Sequence, residues 1–219
     1  MRSRALTAIF ICSLLLIGCT KSIDRSKGVY MLLDTSGTYA EELQKAQEII
    51  NYLLKALYPG DTLAVGRIDT GSFSEKNIIA KVQFDSRPSM AINQKRAFKE
   101  TIDKFVVNVK GSKFTDISGA ILQAIEYLNE TGVKHKYILI FSDMKEDLAK
   151  GYIRDVPFQL SGFKVFALYV TKLPEDIVDP NKYKERCEQW QKKVEEGGGQ
   201  WGQINDMSNL DSIFQPHSF

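Results

Sequence analysis

The sequence predicts an α/β domain built on a doubly wound, mostly parallel sheet, with one antiparallel edge strand and helices on both faces. Three observations predict it. Short continuous apolar runs, of the kind buried on both sides of a parallel sheet, alternate with segments whose apolar residues recur at helical spacing. The link between the second and third runs, Asp69 to Asn77, is too short for a helical crossover, so those two strands pair antiparallel. The composition agrees: 219 residues, 43% hydrophobic and 26% charged, with 15 Gly and 6 Pro, suffice for one core and are too apolar for disorder.

Val29 to Leu33 is the first strand, apolar throughout. Leu43, Ala46, Ile50, Leu53 and Leu57 then recur at helical spacing until Pro59-Gly60 stops them. Thr62 to Ile68 and Ile78 to Phe84 are the second and third strands. Phe98, Ile102, Phe105 and Val106 mark one helix, and Ile117, Ala120, Ile121, Ala124, Ile125 and Leu128 mark the next. Tyr137 to Phe141 is the most apolar strand; Lys164 to Val170 follows it after a segment without clear periodicity. A helix over about Asn181 to Glu195 ends at Gly197-Gly198-Gly199. A short strand at Gln200 to Ile204 and a small helix near Leu210 to Phe214 close the chain. Strands alternating with helices, without an internal repeat, make one domain.

The start of the chain is different. MRSRALTAIFICSLLLIGC places Arg2 and Arg4 ahead of an apolar stretch from Ala5 to Ile17, shorter than the roughly 18 to 20 residues of an ordinary transmembrane helix. That pattern is a secretory signal. Its end, Leu16-Ile17-Gly18-Cys19, resembles the lipobox of bacterial lipoproteins; the bland alternative is an ordinary signal peptide that holds a cysteine. The resemblance implies cleavage after residue 18, lipidation of Cys19, a tether over residues 19–27 and a domain over 28–219. With about 0.8 kcal/mol per buried methylene, two or three acyl chains would hold the protein on a cell membrane. Thr20, not Asp, follows the cysteine, which in that family favours the outer membrane where a host has two.

Charge and residue counts exclude several classes. The chain carries 29 Lys and Arg against 27 Asp and Glu, and loss of Arg2 and Arg4 with the signal would leave a mature formal charge of zero. No basic stripe interleaved with aromatics remains for a nucleic acid. With Cys12 removed and Cys19 lipidated, Cys187 stands alone, so no intramolecular disulfide forms. Its helical spacing with Tyr183, Trp190 and Val194 makes it a packing residue. His135 and His217 lack sequence partners for nucleophilic catalysis. Gly197 to Gly202 satisfies G-x-G-x-x-G but follows a helix and precedes a strand, the reverse of a nucleotide-binding context.

In open α/β sheets ligands bind beyond the carboxyl ends of the strands. Asp34-Thr35-Ser36-Gly37-Thr38 follows the first strand and Ser142-Asp143 the central one, while Thr115-Asp116 precedes a helix leading back to the sheet. Three hydroxyls and two carboxylates would thus gather at one edge. An oxygen-only set suits a hard divalent cation, Mg²⁺ first, or Mn²⁺ or Ca²⁺. The pattern resembles the metal-ion-dependent adhesion site of von Willebrand factor type A domains: Asp-x-Ser-x-Ser, a distant Thr and a distant Asp. Asp34, Ser36 and Thr38 match the first element, with Thr38 where a second Ser is usual; Thr115 matches the distant Thr and Asp143 the distant Asp. The resemblance spans about Lys27 to Phe214. It implies a cation held largely by neutral hydroxyls, which leaves it attractive to an Asp or Glu of a protein partner, in adhesion or envelope-complex assembly.

Each residue also has a plainer reading. Ser36 and Thr38 suit caps of the first helix, and Thr115 or Asp116 a cap of the later one. Asp116, directly before an apolar helical face, reads first as an N-cap and second as a hydrogen-bond partner of Ser36 or Thr38. The hydroxyl-rich link Asp69 to Glu75, with Ser72 and Ser74, reads as a turn with Gly71 at positive φ or as a loop that helps choose the partner. Two rival functions use the same residues: a scaffold with a vestigial metal site, and a phosphohydrolase. The Asp34 segment resembles the Asp loop of haloacid-dehalogenase-type phosphohydrolases, with Lys113 or Lys145 and Asp143 or Asp147 completing the site. Ser36 stands where those enzymes usually carry a second Asp, so the expectation is a binding protein, not an enzyme.

Overall fold

A computed structural model describes residues 25–37 and 42–214. Cys19, Thr20, Thr38 and His217 lie outside the described residues. The chain runs β1 (Lys27–Asp34), α1 (Leu43–Ala56), β2 (Thr62–Ile68), a 3₁₀ turn (Glu75–Asn77), β3 (Ile78–Gln83), α2 (Pro88–Asn108), α3 (Ile117–Glu130), β4 (His135–Phe141), β5 (Phe163–Leu168), α4 (Pro174–Val178), α5 (Pro180–Glu196), β6 (Gln200–Ile204) and α6 (Met207–Phe214).

The six strands are ordered β3-β2-β1-β4-β5-β6. Only β2 and β3 pair antiparallel; every other neighbour is parallel. The sequence predicts a mostly parallel sheet with one antiparallel edge strand, and β1 begins two residues earlier than expected, at Lys27. Alternation along the central strands divides the core in two. Val29, Met31 and Leu33 of β1, with Tyr137, Leu139 and Phe141 of β4, pack under Ile49, Ile50 and Leu53 of α1 and Phe98 and Ile102 of α2. Tyr30, Leu32, Ile138 and Ile140 face the other way, against Ile117, Ile121 and Ala124 of α3 and Cys187, Trp190 and Val194 of α5. A strand with partners on both faces has no polar side to show, and β1 reads as a continuous apolar run for that reason.

Cys187 is buried and free, as its spacing requires. The helix Pro174–Val178 has too little chain for a helical period to show, and the sequence reading passes over it.

β1 and β4 are neighbours whose outward connections run to opposite sides, to β2 and to β5. Their carboxyl ends therefore open on the reversal of winding, the place where an open α/β sheet leaves a crevice.

Candidate metal-ion site

Asp34 is the last residue of β1 and is fully buried. One carboxylate oxygen accepts the Ser142 hydroxyl at 2.6 Å, and the other accepts the Ser36 amide at 2.8 Å. The first bond ties the end of β1 to the residue after β4, so Asp143 comes with it. Asp143, 8% exposed, receives the Lys145 amide at 2.8 Å.

Three connections draw the segments into a ring. Asp34 meets Ser142 through that hydrogen bond; Ser36 bridges Ser112, whose amide donates to the Thr35 carbonyl at 2.8 Å; Thr115 bridges Asp147 through paired amide–carbonyl bonds of 2.8 and 2.9 Å. The Thr35 hydroxyl turns away and donates to the Ile68 carbonyl. Asp34, Ser36, Thr115 and Asp143, from three separate segments, are thus tied into one ring at the sheet edge; the fifth residue of the set, Thr38, is not described.

The electrostatics of this edge follow from burial. Desolvation pushes the Asp34 carboxyl above its ordinary 3.8, against the hydrogen bonds from Ser142 and Ser36. Burial raises Asp143 as well; the Lys145 amide opposes the rise, the Asp34 charge adds to it, and the Arg186 and Lys145 charges oppose it. Neither carboxylate forms an ion pair among the described residues. Two neighbouring carboxylates, buried and without an ion-paired cation, are costly to keep ionised. A divalent cation offsets that cost, so the residues present fit one. Among the described residues no three His, Cys, Asp or Glu side chains gather. Further protein ligands would have to be hydroxyls such as those of Ser36 and Thr115, a hard-cation set.

Asp116 is the N-cap of α3, one of the two roles its position predicts. One oxygen accepts the Gly119 amide and the other the Ser72 amide, both at 2.8 Å. Arg154 grips the same carboxylate with Nε at 2.9 Å and a terminal nitrogen at 2.7 Å. With those donors in place it serves α3, the β2–β3 link and the β4–β5 segment together, and among the described residues it makes no hydrogen bond to Ser36. Ser36 does not cap α1 either: that helix begins after Glu42, with no side-chain cap.

The link after β2 folds inward. The Ser72 hydroxyl and the Asp69 backbone exchange hydrogen bonds at 2.8 Å, and Ser72 is buried. Ser74 caps the 3₁₀ turn. Gly71 stands at φ 69°, as the turn reading requires, and an added Cβ would lie 2.7 Å from the Tyr152 ring. Ser72 and Ser74 are therefore engaged within the turn, and Phe73, 49% exposed, is the large apolar residue this link presents outward.

Arg154, Glu146 and Arg186 are absent from the sequence reading. Glu146 accepts the Ser118 amide at 2.6 Å at the start of α3. Arg186 donates to the Asp143 carbonyl at 2.9 Å. Glu146 and Arg154 sit in stretches without periodicity and Arg186 on the polar side of a charged helix, and their partners lie 28 to 43 residues away.

No family model matches the chain, and no curated protein does. Solved structures do. The chain superposes on a von Willebrand factor type A protein from Catenulispora acidiphila with a TM-score of 0.54 at 15% identity, over 87% of this chain and 41% of that one. A mutant of the PilB minor pilin from Streptococcus sanguinis gives 0.52 at 13%, over 87% and 60%, and unmutated PilB gives 0.50 at 12%, over 88% and 60%. The fold is of the von Willebrand factor type A kind. The chain spans less than two thirds of each of these proteins, and identities this low speak for the fold alone. Within this type A fold, the Asp34–Asp143 edge is the crevice at the winding reversal.

Proposed function

We propose that this type A domain binds a divalent cation, Mg²⁺ first among candidates, and through it a carboxylate-bearing protein partner. Asp34, Ser36, Thr115 and Asp143 would hold the ion, with Thr38 as a fifth donor. The observation that carries the reading is the pair of buried carboxylates, Asp34 and Asp143, joined through Ser142 and without an ion pair among the described residues. A bound cation would neutralise them and offer an open position to an Asp or Glu from outside. The protein's own part is to fix the carboxylates: Ser142 and the Ser36 amide orient Asp34, and the Lys145 amide orients Asp143.

The role is binding, in adhesion or assembly at a bacterial envelope, on a lipid anchor at Cys19. None of the described helices is long and apolar enough to cross a membrane. Lys145, one of the two lysines a phosphohydrolase reading would use, pairs with Glu175 at 2.6 Å.

Calorimetry of the chain from residue 20 onward with Mg²⁺, Mn²⁺ and Ca²⁺ tests the proposal. Saturable binding, lost in Asp34→Ala, is expected. No heat with any of the three would leave the scaffold reading in its place, and phosphate release from an aryl phosphate, abolished by Asp34→Asn, would revive the enzyme.

A further inference from the structure

The residues after β4 do not follow an ordinary path. Met144 is fully buried and has φ 63°, a left-handed conformation that costs an unbranched L-residue on the order of 1 kcal/mol or more. Something must hold it there. Two hydrogen bonds come from within the turn: the Met144 amide donates to the Ser142 hydroxyl at 3.0 Å, and the Lys145 amide to the Asp143 carboxylate at 2.8 Å. Two more come from α5. Arg186 Nε donates to the Asp143 carbonyl at 2.9 Å, and Trp190 Nε1 donates to the Met144 carbonyl at 2.8 Å. These residues are four apart, so they share one helix face and reach consecutive carbonyls.

Arg186 is itself fixed. Its terminal nitrogens donate to Asp176 at 3.0 and 2.6 Å, and the Asp176 side chain is fully buried and also accepts the Leu173 amide. Asp176 lies on α4, whose Glu175 pairs with Lys145 at 2.6 Å. The short helix and α5 thus close on the turn from both sides. Trp190 is buried, with its indole nitrogen committed.

We infer that Arg186 and Trp190 are positioning residues for Asp143: two donors one helical turn apart on α5, braced by Asp176, hold the Asp143–Met144 turn in its left-handed form and so fix where the Asp143 carboxylate stands relative to Asp34. This rests on the cation reading above. Groups that orient a metal ligand from behind typically change affinity 10- to 100-fold when removed.

The test uses Arg186→Lys and Trp190→Phe, which keep charge and ring but lose the Nε donors, with Ile102→Val as a control that loosens the core on the other face of the sheet. Two measurements are made on each. Amide hydrogen exchange at Met144 and Lys145, in chelator, reports the turn without metal; calorimetric titration with Mn²⁺ reports the site. Exchange at both amides is expected to quicken about tenfold or more in the two α5 variants, with Mn²⁺ affinity down roughly 10-fold. The control should leave both unchanged. A parent that binds no Mn²⁺ overturns the cation reading and the positioning role with it. A parent that binds Mn²⁺, with α5 variants that match it in exchange and affinity, overturns the positioning role alone.

Discussion

Removing the Asp116 carboxylate should cost this domain a large part of its stability. Its side chain is 2% exposed and that of Arg154 is 17% exposed. Asp116→Ala would leave the guanidinium mostly buried without its counter-charge, the Ser72 amide without an acceptor, and α3 without its cap. Breaking a buried ion pair by deleting one partner costs about 3–5 kcal/mol. A lost cap adds about 1 kcal/mol and an orphaned buried amide about 1–3 kcal/mol. These losses share one side chain and do not add in full. Arg154 also retains some access to water. The expected total is therefore about 3–5 kcal/mol, a sizeable fraction of the roughly 5–15 kcal/mol that holds a domain together. Equilibrium urea unfolding of the parent, Asp116→Ala, Arg154→Met and the double variant measures it. Arg154→Met should cost less than Asp116→Ala, since two amides still satisfy the carboxylate. The double variant should cost at least about 1.5 kcal/mol less than the two singles combined. Gly119→Ala approaches the same point from the other side, because its Cβ would lie 2.5 Å from the carboxylate. A loss under about 1 kcal/mol for Asp116→Ala at unchanged m-value, or simple additivity in the cycle, would refute the reasoning.

If the carboxylate pair binds a cation, Mg²⁺ or Mn²⁺ at 100 times its dissociation constant should stabilise the domain by about 2.7 kcal/mol, read as a rise of several degrees in a melting curve; Asp143→Asn should lose that rise, and a parent curve indifferent to millimolar Mg²⁺, Mn²⁺ and Ca²⁺ would contradict it. Without metal, the raised Asp34 and Asp143 carboxyls hold protons more tightly folded than unfolded, so their contribution is full below the ordinary 3.8 and is lost as pH rises through the raised values. Unfolding in chelator should then show Asp143→Asn gaining on the parent as pH rises above the ordinary 3.8; a gap that shrinks with pH would contradict the sign. Asp34→Ala and Thr115→Ala should each abolish cation-dependent capture of a partner with the fold intact by circular dichroism, and unchanged capture would move the interface elsewhere. Cys19→Ser should accumulate as an unlipidated precursor, and normal membrane fractionation of that variant would end the lipoprotein reading.

The parts of this molecule legible in the sequence are those with a period or a short-range rule behind them. Val29 to Leu33 and Tyr137 to Phe141 advertise two-sided burial, the nine-residue link fixes the antiparallel pair, and Asp34 and Asp143 declare themselves by following strands. Asp116 reads as a cap because an apolar helical face starts beside it. The remainder depends on side chains that meet only after folding. Arg154 sits in a stretch of mixed polarity and finds Asp116 across 38 residues. Ser72 looks outward-facing in sequence, yet Asp69 and Asp116 draw it in. Arg186 reads as one more cation on a charged helix, and nothing local marks it as the one that reaches Asp143.

The placement of Asp34 at the far end of β1 has a geometric consequence. Seven steps of about 3.3 Å separate it from Lys27, so the strand's entry and the carboxylate edge stand about 23 Å apart. The Lys27 ammonium donates to the Phe214 carbonyl at 2.8 Å, so the last described helix ends beside the first described strand. The first and last described elements meet at one pole of the domain, and the carboxylates occupy the other. An attachment made at Lys27 or at Phe214 therefore holds the domain by its base, with the Asp34–Asp143 edge presented to the opposite side.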